Sequence, residues 1–594
     1  MEETELVSLC LEAACKSEES VEKWRRQRRT LERLPSHLAQ SLLQRLLHRR
    51  LLFPSLLEVF KYSVEEIDLR GQNSVDAEWM AYIGAFRYLR YLSLADCHRV
   101  TNSALWPMIG MACLKELDLS RCTKVTDAGV RDLISISTLE KLWISETRIT
   151  ADGVALLSSL ENLSVLDLGG LPVTDKALNS LQLLTKLEYL DLWGSKISNG
   201  GAGVLQSFPK LSFLNLAWTS ITNLPDLLSL ECLNMSNCTI NSVLHGTGDK
   251  APLTKLIFSG ATFIDGAETF LYVEKSLLLF LDISNSSLHR FSFLSYMEML
   301  EHLDLSSSML ADDSVEHIVC IGANLRYLNL SSTKVSSTGV GVLAGHVPKL
   351  EILSLSHTSI DDMALLYIGM MLSLKVVDLS NTNIKGSIPV EGMDCQMVSS
   401  LAALQNLACL ERLVLEQTQV RDADLSPLSS CKELSHLSLN CASLTDATLH
   451  VLASLPRLTY LSICEAVLTN SGLDSFTPPA ALRVLDLRDC WLLTEDAVLL
   501  FSKKHPQIEV RHEAVPLFSS ELVSSNRASL SQPSSRTSRM KSKQKNMPLS
   551  QFFIDQRLKY SREELLALQY SFLSLNSPDD TGIILSELQL DPIN

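Results

Sequence analysis

Cysteine is the residue of this chain best suited to chemistry, since a thiolate can attack, pair or hold zinc, and there are fourteen of them. Their spacing argues against all three roles. No Cys-x-x-Cys pair occurs, so a zinc site is not indicated. Cys97, Cys122, Cys238 and Cys490 return at one repeating slot, the mark of packing residues. A Gly-rich phosphate loop, His-Glu-x-x-His and Gly-x-Ser-x-Gly are also missing. The expectation is therefore a non-enzyme with no catalytic, cofactor-binding or metal-binding residues.

Two other patterns suit binding. Asp118, Asp167, Asp191, Asp282, Asp304, Asp378 and Asp486 share one slot of the repeating pattern, with Asn215, Asn234 and Asn329 between them. Stacked carboxylates repel, so such a stripe calls for a cation, a basic partner or free solvation. A band of aromatics comprises Trp143, Tyr189, Trp193, Phe213 and Trp218. Large aromatics dominate interface hot spots, and these five are the candidate partner-binding residues. Mutual stacking to stiffen the array is the alternative reading.

The elements that must position these residues come from a phrase, Leu-x-x-Leu-x-Leu, that returns about every 24 residues. Clean copies are Leu114-Lys-Glu-Leu117-Asp-Leu119 and Leu325-Arg-Tyr-Leu328-Asn-Leu330. The period predicts an α/β fold, a leucine-rich-repeat solenoid or horseshoe of about 17 repeats over residues 63–512. Each repeat reads as a short strand on a concave parallel sheet, a Cys or Thr turn, and a convex helix capped by phrases such as Val125-Thr-Asp-Ala-Gly. Two irregular steps stand out. Leu214 to Leu233 is too short for a convex helix, with Asn223-Leu-Pro225 in its place. Val377 to Leu413 is long and carries an insertion over 386–410, whose Asn381-Thr-Asn-Ile384-Lys-Gly386-Ser-Ile-Pro389 resembles the repeat of plant extracellular receptors.

The formal net charge of −16 opposes nucleic-acid binding along the array and suits a basic protein partner. The first fifteen residues carry four glutamates and no lysine or arginine, unlike a secretory signal, and no apolar run is long enough to span a membrane. An intracellular chain, cytoplasmic and/or nuclear, is expected. Residues 513–548 are Ser-rich and basic and read as a disordered linker, with Arg527-Ala-Ser529 and Arg536-Thr-Ser538 as possible kinase targets. Residues 549–594 read as a short helical segment, in which Ser561-Arg-Glu-Glu564 forms a capping box ahead of Leu565, Leu566 and Leu568.

Residues 1–62 form a helical head, either a cap for the leucine core or an adaptor-binding box. Leu6, Cys10 and Ala14 make a Leu-x-x-x-Cys-x-x-x-Ala phrase similar to the elongin-C-binding box of cullin substrate receptors. Leu34-Pro35 before an apolar helix resembles the cullin-contacting segment that follows that box. The order of box, Leu-Pro helix and cysteine-containing repeats resembles the Zyg-eleven-type receptors, and the repeats alone also resemble those of F-box receptors. Glu5 stands where the box usually has Ser, Thr or Pro, and the armadillo-like domain of Zyg-eleven-type receptors has no counterpart here. The resemblance implies a substrate receptor of a cullin-based E3 ubiquitin ligase. Leu6, Cys10, Ala14, Leu34 and Pro35 would contact an elongin-like or Skp-like adaptor and a cullin, with a protein target on the concave wall. The alternative is a non-ligase leucine-rich-repeat scaffold in intracellular signalling.

Overall fold

The computed structural model describes residues 5–26, 34–245, 250–265, 269–270, 273–389, 397–513 and 559–570. Among the described residues the parallel sheet has 19 strands, each of three residues. Seventeen strands are centred on the leucine (once Val377) of the expected phrases, and another on Ile67. The last, Glu509–Arg511, is centred on Val510 and was not anticipated, because the Leu-x-x-Leu-x-Leu phrase has already lapsed there.

The chain divides into two compact units. The first comprises 1–281 and 552–594. Its strands pair in register with the next in sequence, Leu92 with Leu117, Leu142 with Leu166, and Leu190 with Leu214. These leucines are fully buried, the expected fate of an apolar residue repeating at one strand position. In the second unit, 282–551, Leu303 pairs with Leu328, Leu461 with Leu485, and Leu485 with Val510.

Where the turn after a strand carries Cys or Thr, that residue acts in one of two ways. The thiols of Cys97 and Cys122 donate across the repeat boundary, to the carbonyls of Leu69 and Leu94 at 3.1 and 3.0 Å. The hydroxyls of Thr147 and Thr333 donate within their own turn, to the carbonyls of Ile144 and Leu330. Either way a buried carbonyl is satisfied, and leaving such a group bare costs roughly 1–3 kcal/mol. Burial raises the Cys122 thiol well above its ordinary value and pushes Cys97 up to about 12.

Convex segments are less uniform than the phrase suggests. Asp127–Leu133 and Asp446–Leu452 are α-helices capped by Thr126 and Thr445. Asp422–Ser430 tightens to 3-10 geometry around Pro427, which has no amide to donate. The short step contains a strand, Asn223–Pro225, paired with Ser242–His245. The 386–410 insertion opens with an antiparallel pair, Ser387–Pro389 against Met397–Ser399, followed by a 3-10 turn at Ser400–Asn406.

Among the described residues the head has three α-helices, α1 (Glu5–Ala14), α2 (Glu18–Arg25) and α3 (Ser36–His48). Helix α3 buries Ala39, Leu42, Leu43 and Leu46, and its Gln40 donates to the carbonyl of Glu66 in the first strand at 2.7 Å. Together with the 3-10 turn Pro54–Val59, which buries Leu56, Leu57 and Val59, it covers the leucine core at that end. Helix α1 lies outside α3, held by Arg45 donating to Ser8 and by an Arg49–Glu12 ion pair. Among the described residues no helix is long and apolar enough to cross a membrane.

A candidate protein-binding face

The acidic stripe was expected to be answered by a cation or a basic partner, with free solvation as the other reading, and it is the solvated reading that fails. Asp118, Asp167, Asp191, Asp282, Asp304 and Asp486 are instead buried, each at 3% exposure or less. The reason is local. The carboxylate Oδ1 of Asp118 accepts the Ser120 amide two residues on at 2.9 Å, and Asp167 does the same for Gly169. Asn215 and Asn234 make the same bond to Ala217 and Ser236, which is why Asn alternates with Asp. The second oxygen is answered sideways: Ser145 donates to Asp167 at 2.8 Å and Asn215 to Asp191 at 3.0 Å.

Asp167 and Asp191 are register partners on adjacent strands. Burial raises both above the ordinary carboxylate range, and the Asp167 charge raises Asp191 further, to about 8. The Asp167 carboxylate also faces a cation, which the chain supplies from its C-terminal segment.

Residues 559–570 cross the inner, helix-free face of the first unit. The helix Arg562–Tyr570 starts at a capping box: the Ser561 amide donates to Glu564 at 2.6 Å, and the Glu564 amide to Ser561 Oγ at 3.2 Å. Arg562 reaches down from its first turn. Its Nη1 donates to Ser120 Oγ at 2.7 Å, its Nη2 to Asp118 Oδ2 at 3.2 Å, and its Nε lies 3.7 Å from Asp167. The guanidinium sits 5.2 Å over the Trp143 ring. Burial works against the Arg562 charge, but Asp118 and Asp167 hold its pKa above the ordinary arginine value. At the rim Glu563 meets Arg70 at 3.5 Å.

Beside this polar anchor Tyr560, Leu565 and Leu568 join one apolar cluster with Trp143, Val165, Tyr189, Phe213, Cys232, Ile257 and Phe280. Tyr189 and Phe213 stack at 4.3 Å and 5°. Phe280 meets Tyr560 edge-on at 6.4 Å. Two polar atoms under this cover, Tyr189 Oη and Trp143 Nε1, have no hydrogen-bond partner among the described residues, at a cost of roughly 1–3 kcal/mol each.

The structure thus brings Trp143, Tyr189 and Phe213 together on the strand face and sets the other two candidate aromatics apart. Trp193 follows its strand and lies over the preceding turn, where a Cβ at Gly169 would stand 2.2 Å from Nε1. Trp218 occupies the left-handed turn position at φ 60° and is 42% exposed. The sequence reading missed Phe280 and the acceptors Asp118 and Ser120 as one site with Arg562. Only the capping box hinted at it. At the head, Leu6 and Leu9 are 72% and 61% exposed and Cys10 is exposed, whereas Leu11 and Cys15 are buried. Ala14 and Leu34 are half-buried and Pro35 is exposed.

A sequence profile described as Leucine Rich repeat matches residues 110–133 and 323–344, two stretches that each hold one strand of the sheet and the helix after it. The fold is a leucine-rich-repeat solenoid. No curated protein matches it in sequence. Among solved structures it is similar to an internalin of Listeria monocytogenes, with 17% identity over 72% of this chain and 93% of that one and a TM-score of 0.33. A leucine-rich-repeat protein of Leptospira interrogans has 15% identity over 77% and 98%, at 0.38. Plant peptide hormone receptor RGFR1 in complex with RGF2 has 15% identity over 72% and 74%, at 0.36. These leucine-rich-repeat likenesses concern the fold alone. The repeats form a protein-interaction scaffold, the use to which stacked turns with one continuous face are suited. Among the described residues no group of three or more His, Cys, Asp or Glu could hold a metal ion.

Proposed function

We propose that this leucine-rich-repeat chain is the substrate receptor of a cullin-based E3 ubiquitin ligase, with α1 docking an adaptor and the inner face holding a protein target. One observation carries the reading. Helix α1 turns Leu6, Leu9 and Cys10 outward, while α3 and the 3-10 turn Pro54–Val59 cover the leucine core. A helix needed only as a cap has no use for two outward leucines, which water disfavours by about 25 cal/mol per Å² of apolar surface. An apolar helix face with anchors at i, i+3 and i+4 is the form in which a partner groove takes up a helix. In this reading Leu6, Leu9 and Cys10 enter an elongin-like or Skp-like adaptor, and Leu34-Pro35 at the start of α3 faces the cullin. Ubiquitin transfer belongs to other subunits, and this chain contributes proximity. The reading places it in the cytoplasm and/or nucleus.

The test is affinity purification of the full chain and of Leu6→Glu/Cys10→Arg. The intact chain should recover a named adaptor and a cullin, and the variant should lose both with its melting temperature unchanged. If the intact chain recovers neither, the receptor reading is wrong and the non-ligase scaffold stands.

A further inference from the structure

The inner face of the first unit is already filled, and the way it is filled says what it accepts. Residues 559–570 present Tyr560, Arg562, Leu565 and Leu568, a Tyr-x-Arg-x-x-Leu-x-x-Leu order. Each has a matched receptor. The arginine enters a socket of Asp118, Asp167 and Ser120 roofed by Trp143. The tyrosine meets Phe280, and the leucines join the apolar cluster that includes Tyr189 and Phe213.

Three observations mark this as a ligand site and not as core. The helix is short, and its described partners lie on the strand face of distant repeats. It is separated from the last strand by residues 512–558, a stretch that is Ser-rich and basic between Ser519 and Asn546. The fit is also incomplete, since Tyr189 Oη and Trp143 Nε1 are buried beneath it without a partner. A core element would be expected to satisfy them. A ligand that offers an acceptor to either atom would gain a hydrogen bond that the segment now in place does not make.

We propose that this face is a receptor groove for an amphipathic partner helix of Tyr-x-Arg-x-x-Leu-x-x-Leu chemistry, occupied in cis by residues 559–570, so that a partner binds only by displacing them. The proposal rests on the repeats being a protein-binding scaffold and is independent of the adaptor reading. A tethered helix competes at an effective concentration of the order of millimolar, so the exchange tunes affinity without closing the site.

The experiment uses the full chain and a fluorescent synthetic peptide of residues 559–570 as the probe, read by anisotropy. The intact chain should bind it weakly. Leu565→Asp/Leu568→Asp in the chain should undock the tethered helix and tighten binding at least tenfold. The peptide carrying Arg562→Glu should lose that gain, as should an Asp118→Asn wall. Arg562→Gln in the chain serves as a milder release should the double variant fail to fold. If neither released chain binds the peptide more tightly than the intact one, with melting temperature preserved, the groove assignment falls. A dimer by light scattering that the peptide dissolves would overturn the cis assignment. The adaptor purification leaves all these readouts untouched, so the two readings fail separately.

Discussion

Arg562 Nη2 lies 3.2 Å from Asp118 Oδ2, although 444 residues separate them in sequence. No other described contact ties the C-terminal segment so specifically to one repeat. Breaking a buried pair by removing one partner typically costs 3–5 kcal/mol, because a charge is left uncompensated. Here an escape exists, since the helix can leave and readmit water to the carboxylates. Arg562→Leu is therefore expected to undock residues 559–570 with little change in the melting of the repeats. Limited proteolysis should show faster cleavage at Lys559, with an unfolding midpoint within a few degrees of the parent.

The coupling between the two residues can be isolated. Asp118→Asn keeps the acceptor for the Ser120 amide, as Asn does at 215 and 234, and removes only the charge. Arg562→Gln and Asp118→Asn should each weaken docking, and together should cost less than their sum by roughly 1–3 kcal/mol. Exact additivity in a double-mutant cycle read by protection of the helix would show that the ion pair contributes nothing.

The Asp167–Asp191 pair sets a pH dependence. Burial raises both native pKa values, and the Asp167 charge raises Asp191 further, to about 8. The folded chain thus holds protons that the unfolded chain, with ordinary carboxylates near 4, has already released. Stability from this pair is full below about pH 4 and is lost as pH rises towards 8. Asp191→Asn should remove that slope. The readout is the difference in melting temperature between parent and variant across pH 5 to 8, which cancels acids elsewhere. A constant difference would refute the assignment.

Trp193 packs on Gly169, where any side chain would collide with the indole. Gly169→Ala should destabilise by roughly 1–3 kcal/mol through overpacking. In a Trp193→Ala background the same change should cost much less, because the obstacle is gone. Equal costs in both backgrounds would mean that the glycine serves the backbone and not the tryptophan.

The thiols should divide by exposure. Cys10, Cys113, Cys320 and Cys409 are exposed, whereas burial raises Cys97, Cys122, Cys441 and Cys490 above their ordinary values. Iodoacetamide at pH 8 should modify the first group and spare the second until denaturant is added. Early labelling of Cys122 would contradict its bond to the Leu94 carbonyl.

The architecture was legible because it is periodic. Leucines that recur every 24 residues have one physical use, and Leu92 through Leu485 fall at the centres of strands as read. The Ser561–Glu564 box was legible for the same reason, being a local pattern with a local cause. The meaning of the acids was not. In sequence Asp118 and Asp486 look like surface charge, and only the turn geometry shows that one oxygen is committed to the amide two residues on. The pairing of Arg562 with Asp118 was out of reach altogether, because nothing periodic links a terminal helix to one repeat among many. Trp193 and Trp218 were grouped with Trp143 by residue type. Their places one turn later put them on a different surface.

The central claim is that the inner face grips an amphipathic helix, at present its own. Amide hydrogen exchange of the full chain over residues 562–570 tests it most directly. The account predicts clear protection there, lost in Asp118→Asn/Asp167→Asn while the strands Val165–Asp167 and Tyr189–Asp191 stay protected. Exchange of 562–570 in the parent chain at the rate of a free peptide would contradict it.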